Sequence, residues 1–149
     1  MKKVLFALSL ALTSSMVSAQ TIPNMIGTWA GSGNIAVYGS GLHHPADDED
    51  SIDNRIMSGG VRFRHAEYEF VIDQQEGHMF AGTGISAHAK SQQVGTLGED
   101  LKSGVMVNTD GAHLTFQLDG NVMNACGTRA RKEISGLIDN AFCYKLRRQ

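Results

Sequence analysis

The sequence predicts an all-β protein, an antiparallel up-and-down β-barrel of seven to eight strands, and three observations carry that expectation. Apolar and polar residues alternate at a period of two, the 17 glycines far outnumber the 2 prolines, and turn-forming residues fall between the alternating runs at short, regular spacing. A meander of that many strands removes its exposed edges most completely by closing on itself.

Each strand can be justified in turn. Strands are expected near residues 27–38, 61–74, 78–86, 101–108, 112–119, 121–131 and 140–147. Leu114, Phe116 and Leu118 share one face while His113, Thr115 and Gln117 take the other, an alternation no helix would show. Tyr68, Phe70 and Ile72 oppose Glu67, Glu69 and Asp73 in the same way, and Val105 and Val107 continue an apolar face from Leu101. Gln75-Glu76-Gly77, Asn108-Thr109-Asp110-Gly111 and Asp119-Gly120-Asn121 each place a conformationally permissive residue where a hairpin must reverse. Residues 135–140 read as a turn before the last strand. Two stretches break the rhythm, residues 39–60 and 87–99, and both read as loops long enough to be binding loops.

Ahead of the first strand, residues 1–19 have the three parts of a secretory signal. Met1-Lys2-Lys3 supplies a positive end, Val4 to Leu12 an apolar run, and Met16-Val17-Ser18-Ala19 a small-residue cleavage site before Gln20. The apolar run is too short to span a bilayer. Residues 20–149 are then one soluble domain, and the expected destination is the periplasm or the exterior. Removing Lys2 and Lys3 leaves 11 basic against 15 acidic residues, a mature charge of −4. That balance, without a basic stripe, argues against nucleic acid as a partner, and Arg129 to Lys132 read as a solvated strand end. Cys126 and Cys143 are the only cysteines, and an oxidising compartment makes a bond between them the expectation, with free thiols or part of a metal site as the alternative.

A family resemblance enters at Met25-Ile26-Gly27-Thr28-Trp29-Ala30-Gly31, where a G-x-W motif opens the first strand. This resembles the start of the calycin barrels, the lipocalin and avidin-like group. The resemblance implies that Trp29 closes one end of the barrel beneath a basic side chain from the last strand, Arg147 or Arg148, with Arg147 preferred. His43-His44-Pro45, Val71 to Gly77, Phe80-Ala81-Gly82-Thr83 and the closing Cys143-Tyr144 also resemble a pattern of small exported bacterial barrel proteins. It implies fold and compartment rather than chemistry. Biotin binding is disfavoured, because avidin-type sites use several tryptophans and Trp29 is the only one here.

Candidate chemistry is sparse. His43 and His44, beside Asp47, Asp48, Glu49 and Asp50, have the ligand types for a divalent metal, but adjacent histidines in an extended loop point apart, and a solvated acidic loop is the plainer reading. No nucleophile elbow, phosphate loop or dinucleotide fingerprint occurs, and no cofactor is expected. Glu67 and Glu69 on one strand face, with His65 nearby, read as a surface charge cluster. Three functions follow. The first is binding of a small apolar molecule in the barrel, lined by Phe70, Ile72, Phe80, Leu114 and Phe116. The second is interaction with an envelope or secreted protein through residues 39–60 and 87–99, and the third is catalysis in a barrel cavity.

Overall fold

The period-two alternation is realised as eight antiparallel strands in a computed structural model that describes residues 21–39, 61–87, 89–133 and 136–149. They are β1 Gly27–Gly39, β2 Val61–Glu76, β3 Met79–Ile85, β4 Lys90–Leu97, β5 Ser103–Asn108, β6 His113–Asp119, β7 Val122–Glu133 and β8 Gly136–Arg148. Each strand pairs with the next in sequence, and β1 pairs with both β2 and β8, so the sheet closes into an up-and-down barrel. No helix occurs among the described residues.

Two elements depart from the sequence-based expectation. Residues 90–97 are a strand and not part of a loop, because Ser91, Gln93 and Leu97 are buried while Lys90, Gln92, Val94 and Thr96 face out. The period of two is intact there, but polar residues occupy the inner face and hide it. Likewise residues 136–140 are the start of β8, in register with β7 from Glu133↔Gly136 onward, and not a turn. A smaller correction concerns β5, where Met106 faces the interior and Val105 and Val107 are exposed.

The two ends of the barrel are built differently. At the end we call the floor, Trp29, Phe70, Ile72, Phe80, Met106, Phe116, Met123 and Leu146 are buried in one apolar cluster. Phe80 stacks edge-on to Phe116 at 5.8 Å and lies tilted against Phe70 at 6.2 Å. These rings fit because their cross-strand neighbours are glycines. A methyl group on Gly95 would land on the Phe80 ring, and one on Gly104 would land on Phe116.

The segment before β1 then folds across this end and seals it. A bulge in β2 between Ile72 and Gln74 resets the strand's phase, so that Gln75 turns toward the segment. Its Oε1 accepts from the Met25 backbone at 2.7 Å and its Nε2 donates to the Pro23 carbonyl at 2.9 Å. Trp29 Nε1 donates to the Met25 carbonyl at 2.9 Å, which leaves the fully buried Met25 as a plug. Arg148 places its guanidinium 5.8 Å from the Trp29 ring centroid, donates through Nη1 to the Asn24 carbonyl at 2.9 Å, and donates through Nη2 to Ile26. A cation held over tryptophan is worth about 0.5–2 kcal/mol. The basic residue over Trp29 is thus Arg148. Arg147 is one step out of phase, lies on the outer face and is exposed.

Turn chemistry follows the sequence closely. Gly77, Gly111 and Gly120 adopt left-handed φ values of 55°, 79° and 56° in their hairpins. In the β4–β5 connection Asp100 Oδ1 accepts from the Lys102 and Ser103 backbone N–H groups at 3.0 and 2.9 Å and from the Ser103 hydroxyl, which holds its carboxyl below the usual range. Cys126 and Cys143 are directly opposed on β7 and β8 and form a disulfide on the outer face, with Cα atoms 4.0 Å apart. Closing a loop of 17 residues stabilises a chain by about 3 kcal/mol in the chain-entropy account.

Candidate functional site

Opposite the floor, the inner faces of the same strands change character. Following the period of two up β2 from Ile72 and Phe70 leads to Tyr68, Ala66, Arg64 and Arg62, all on the inner row. On β8 the corresponding row runs from Leu146 through Tyr144 and Phe142 to Asn140, and on β7 from Ala125 through Gly127 to Arg129. These rows enclose a cavity of about 280 Å³ in the mouth half of the barrel. That is roughly twice the space of an engineered apolar cavity that accepts benzene, and close to the lower limit for natural ligand pockets.

One wall is aromatic and aliphatic. Tyr68 and Tyr144 stack at 4.7 Å between centroids with planes 22° apart, Phe142 leans on Tyr144 at 5.5 Å, and Leu114 and Ile35 continue the apolar surface. Gly84 makes the Tyr68 position possible, since a side chain there would collide with the Tyr68 hydroxyl and the Gln93 amide.

The other surfaces are polar. Gln93, 2% exposed, donates through Nε2 to the Tyr68 hydroxyl, while its Oε1 has no hydrogen-bond partner among the described residues. Ser91 accepts from Asn108 Nδ2 at 3.4 Å. Asn108 also shapes the rim, for its Oδ1 accepts from the backbone N–H groups of Asp110 and Ala112 at 3.0 and 2.8 Å. Arg129 Nη2 donates to the Asn140 amide oxygen at 2.9 Å when that amide is oriented to satisfy both its neighbours. Arg64 and Arg129 enter the cavity lining from separate strands, with Asp110 on the rim.

Burial and charge act together on the two phenols. Burial pushes the Tyr68 hydroxyl far above its ordinary range, Tyr144 and, more weakly, Asp110 push the same way, and the Gln93 hydrogen bond opposes them. Burial also raises Tyr144, against the guanidinium groups of Arg129 and Arg64. Both phenols are neutral throughout the physiological range and act as hydrogen-bonding groups.

Of the five residues expected to line a ligand cavity, the structure brings only Leu114 to it. Phe70, Ile72, Phe80 and Phe116 are consumed in the packed floor. Arg129, expected at a solvated strand end, faces the interior instead. His65 does not meet Glu67; its Nδ1 lies 3.2 Å from Asn34 Oδ1 on the neighbouring strand, and Glu67 is exposed. The metal candidates His43 and His44, the cleavage residues Ala19 and Gln20, and residues 40–60 of the first loop lie outside the described residues. Among the described residues no cluster of three or more His, Cys, Asp or Glu could hold a metal ion, and no helix is long and apolar enough to cross a membrane.

The residues that sequence reasoning missed are Arg64, Gln93, Arg129 and Tyr144. A usable signal existed for Arg64, because the inner phase set by Phe70 and Ile72 extends to it without interruption. No family model matches the chain, and neither a curated protein nor a solved structure matches it.

Proposed function

We propose that this chain is an exported, calycin-like barrel that binds a small molecule in the mouth half of its interior. The observation that carries the reading is the contrast inside one barrel. Apolar side chains pack the floor, while the mouth half keeps a cavity of about 280 Å³ edged by a few convergent polar groups, the usual composition of a small-molecule site. Export is supported by the tripartite character of residues 1–19 and by the Cys126–Cys143 disulfide, which an oxidising compartment would preserve. The calycin reading is supported by Trp29 beneath Arg148 at the sealed end. The ligand's body is apolar, as the Leu114, Phe142 and Tyr144 wall requires.

The test is a titration of the isotope-labelled mature protein with toluene and with phenol, followed by amide chemical shifts. Shifts should concentrate on the inner rows of β2, β4 and β8 near the mouth and vanish in Ala66→Phe, which fills the cavity from β2. Shifts spread evenly over the surface, or unaffected by that substitution, would remove the reading. Residues 1–19 are tested by intact mass after expression, a chain beginning at Gln20 being expected.

A second reading, a protein-interaction surface, is favoured by one observation. Met79, Val94, Val105 and Val107 lie exposed on adjacent outer faces of β3, β4 and β5. Replacing Val94 and Val107 by Lys would leave ligand titrations unchanged and abolish any association that depends on this face.

A further inference from the structure

The outer surface of the barrel divides as its interior does. On β2 and β8 the outward rows carry Glu67, Glu69, Asp73, Lys145 and Arg147, as strands facing water do. On β3, β4 and β5 they carry Met79, Ala81, Val94, Thr96, Val105 and Val107, of which Met79 is 58%, Val94 54%, Val105 50% and Val107 40% exposed. The clearest case is β5, apolar on both faces with Met106 inside and two valines outside, the pattern of a strand covered on both sides. Val94 pairs with Val107 and Thr96 with Val105, so these side chains form one continuous patch along a shallow groove. Tyr38, Val61 and Phe63 are exposed as well, but they flank residues 40–60, which lie outside the described residues, and nothing is built on them.

Charge stands only at the two ends of this patch. Lys90, exposed, lies at the mouth end of β4, and Glu99, exposed, follows the floor end of the same strand. Glu76, opposite Met79, and Asp100 add to the floor end, and Lys102 offsets one of the three acids. Between the ends the outward rows of β3, β4 and β5 hold no charged side chain, and His113 adjoins Val107 from β6. Val94 is close to midway, four residues after Lys90 and five before Glu99. A two-fold axis crossing the strands at Val94 therefore sets Lys90 of each copy toward Glu99 of the other and Val94 against itself, a self-complementary arrangement. An axis along the strands would set lysine on lysine and acid on acid. The chain is net acidic, −2 at pH 7, so two copies approach most easily through a face without net charge of its own.

We propose that this face pairs with the same face of a second copy of the chain, the strands of the two barrels running antiparallel across a two-fold axis at Val94. This rests on the outer face being an interaction surface and is independent of the cavity. An eight-strand barrel is convex, so contact is confined to about three strands, about 14 Å by 20 Å, below the about 800 Å² that each partner gives to a standard interface. The dimer is therefore weak, with a Kd of about 100 µM. Sedimentation of the mature protein at low ionic strength, from about 10 µM to about 1 mM, should show the mass rising from one chain toward two and no further. Val94→Lys, or Val107→Gln should that variant fail to fold, should raise Kd about tenfold. Lys90→Glu and Glu99→Lys should each raise it about threefold, and the two together should return it to within about twofold of the original. A mass beyond two chains, a dimer indifferent to Val94→Lys and Val107→Gln, or a double variant no better than the singles overturns the proposal. A chain still monomeric at about 1 mM overturns the second copy and leaves the face to a different protein. Val94→Lys should leave the toluene and phenol titrations unchanged, so that the cavity reading is decided separately.

Discussion

The floor and the mouth of this barrel are made by the same eight strands, yet they solve opposite problems. At the floor the inner positions hold large apolar side chains, the small Ala125 and glycines that make room for the rings, and the Met25 plug is tied down by Gln75, Trp29 and Arg148. At the mouth the inner positions hold Arg64, Gln93, Arg129 and Asn140, and the space between them is not filled. The difference shows how a barrel can confine its apolar packing to one half. One half buries apolar surface at about 25 cal/mol per Å² and carries the fold, so the other half can keep polar groups facing inward.

That division can be broken or sharpened by experiment. The largest effect is expected at the floor, where Trp29→Ala removes a buried ring, a hydrogen bond and the surface beneath Arg148, and should cost about 3–5 kcal/mol, read as a drop in thermal midpoint of about 10 °C or more. Next comes the staple between β7 and β8. Replacing both Cys126 and Cys143 by Ala should cost about 3 kcal/mol in urea unfolding, with the cooperativity slope altered because the unfolded chain is less constrained. Gly95→Ala, which presses on Phe80, should cost about 1–3 kcal/mol by overpacking, whereas an alanine at the exposed, mouth-side Thr109 should change little.

The smallest effect at neutral pH belongs to the mouth. Tyr68→Phe should change stability by only about 1 kcal/mol at pH 7, because it removes one hydroxyl whose partner is an amide. Its signature is alkaline. Both phenols have folded-state values raised above the ordinary 10.0, so the unfolded chain loses these protons first and stability declines as pH climbs beyond about 10. Tyr68→Phe should flatten that decline in a series of urea titrations from pH 8 to pH 11. A slope unchanged by the substitution would show that Tyr68 ionises normally and that the mouth is wetter than its packing indicates.

How much of this was legible in the sequence divides along the same line. The floor was readable because Phe70, Ile72 and Phe116 alternate with polar residues in the ordinary sense, apolar inward. Turns were readable because Gly77, Gly111 and Gly120 stand where a left-handed φ is needed. The mouth was not, since its polar interior reverses the sign of the pattern. On β4 Gln93 points in and Val94 points out, so a strand reads as a polar loop; on β7 Arg129 points in and reads as a strand end. Hydrophobicity alone cannot find such positions, but phase can. Counting by twos from Phe70 to Arg64, or from Ala125 to Arg129, crosses from core to site without a break. Among the described strands, counting fails at the bulge after Ile72, which turns Gln75 rather than Gln74 toward the N-terminal segment.

The Arg148 clamp has a consequence for the order of events in folding. It joins the final turn of the last strand to Asn24, 124 residues earlier, and the β1–β8 seam beneath it pairs strands from the two ends of the described chain. A chain that emerges N-terminus first can form its hairpins one after another as they appear. It cannot seal its floor until Arg148 has arrived. The barrel therefore remains an open sheet, with β1 presenting an unpaired edge, until synthesis is nearly complete, and the interval before closure is when exposed strand edges are open to wrong pairing.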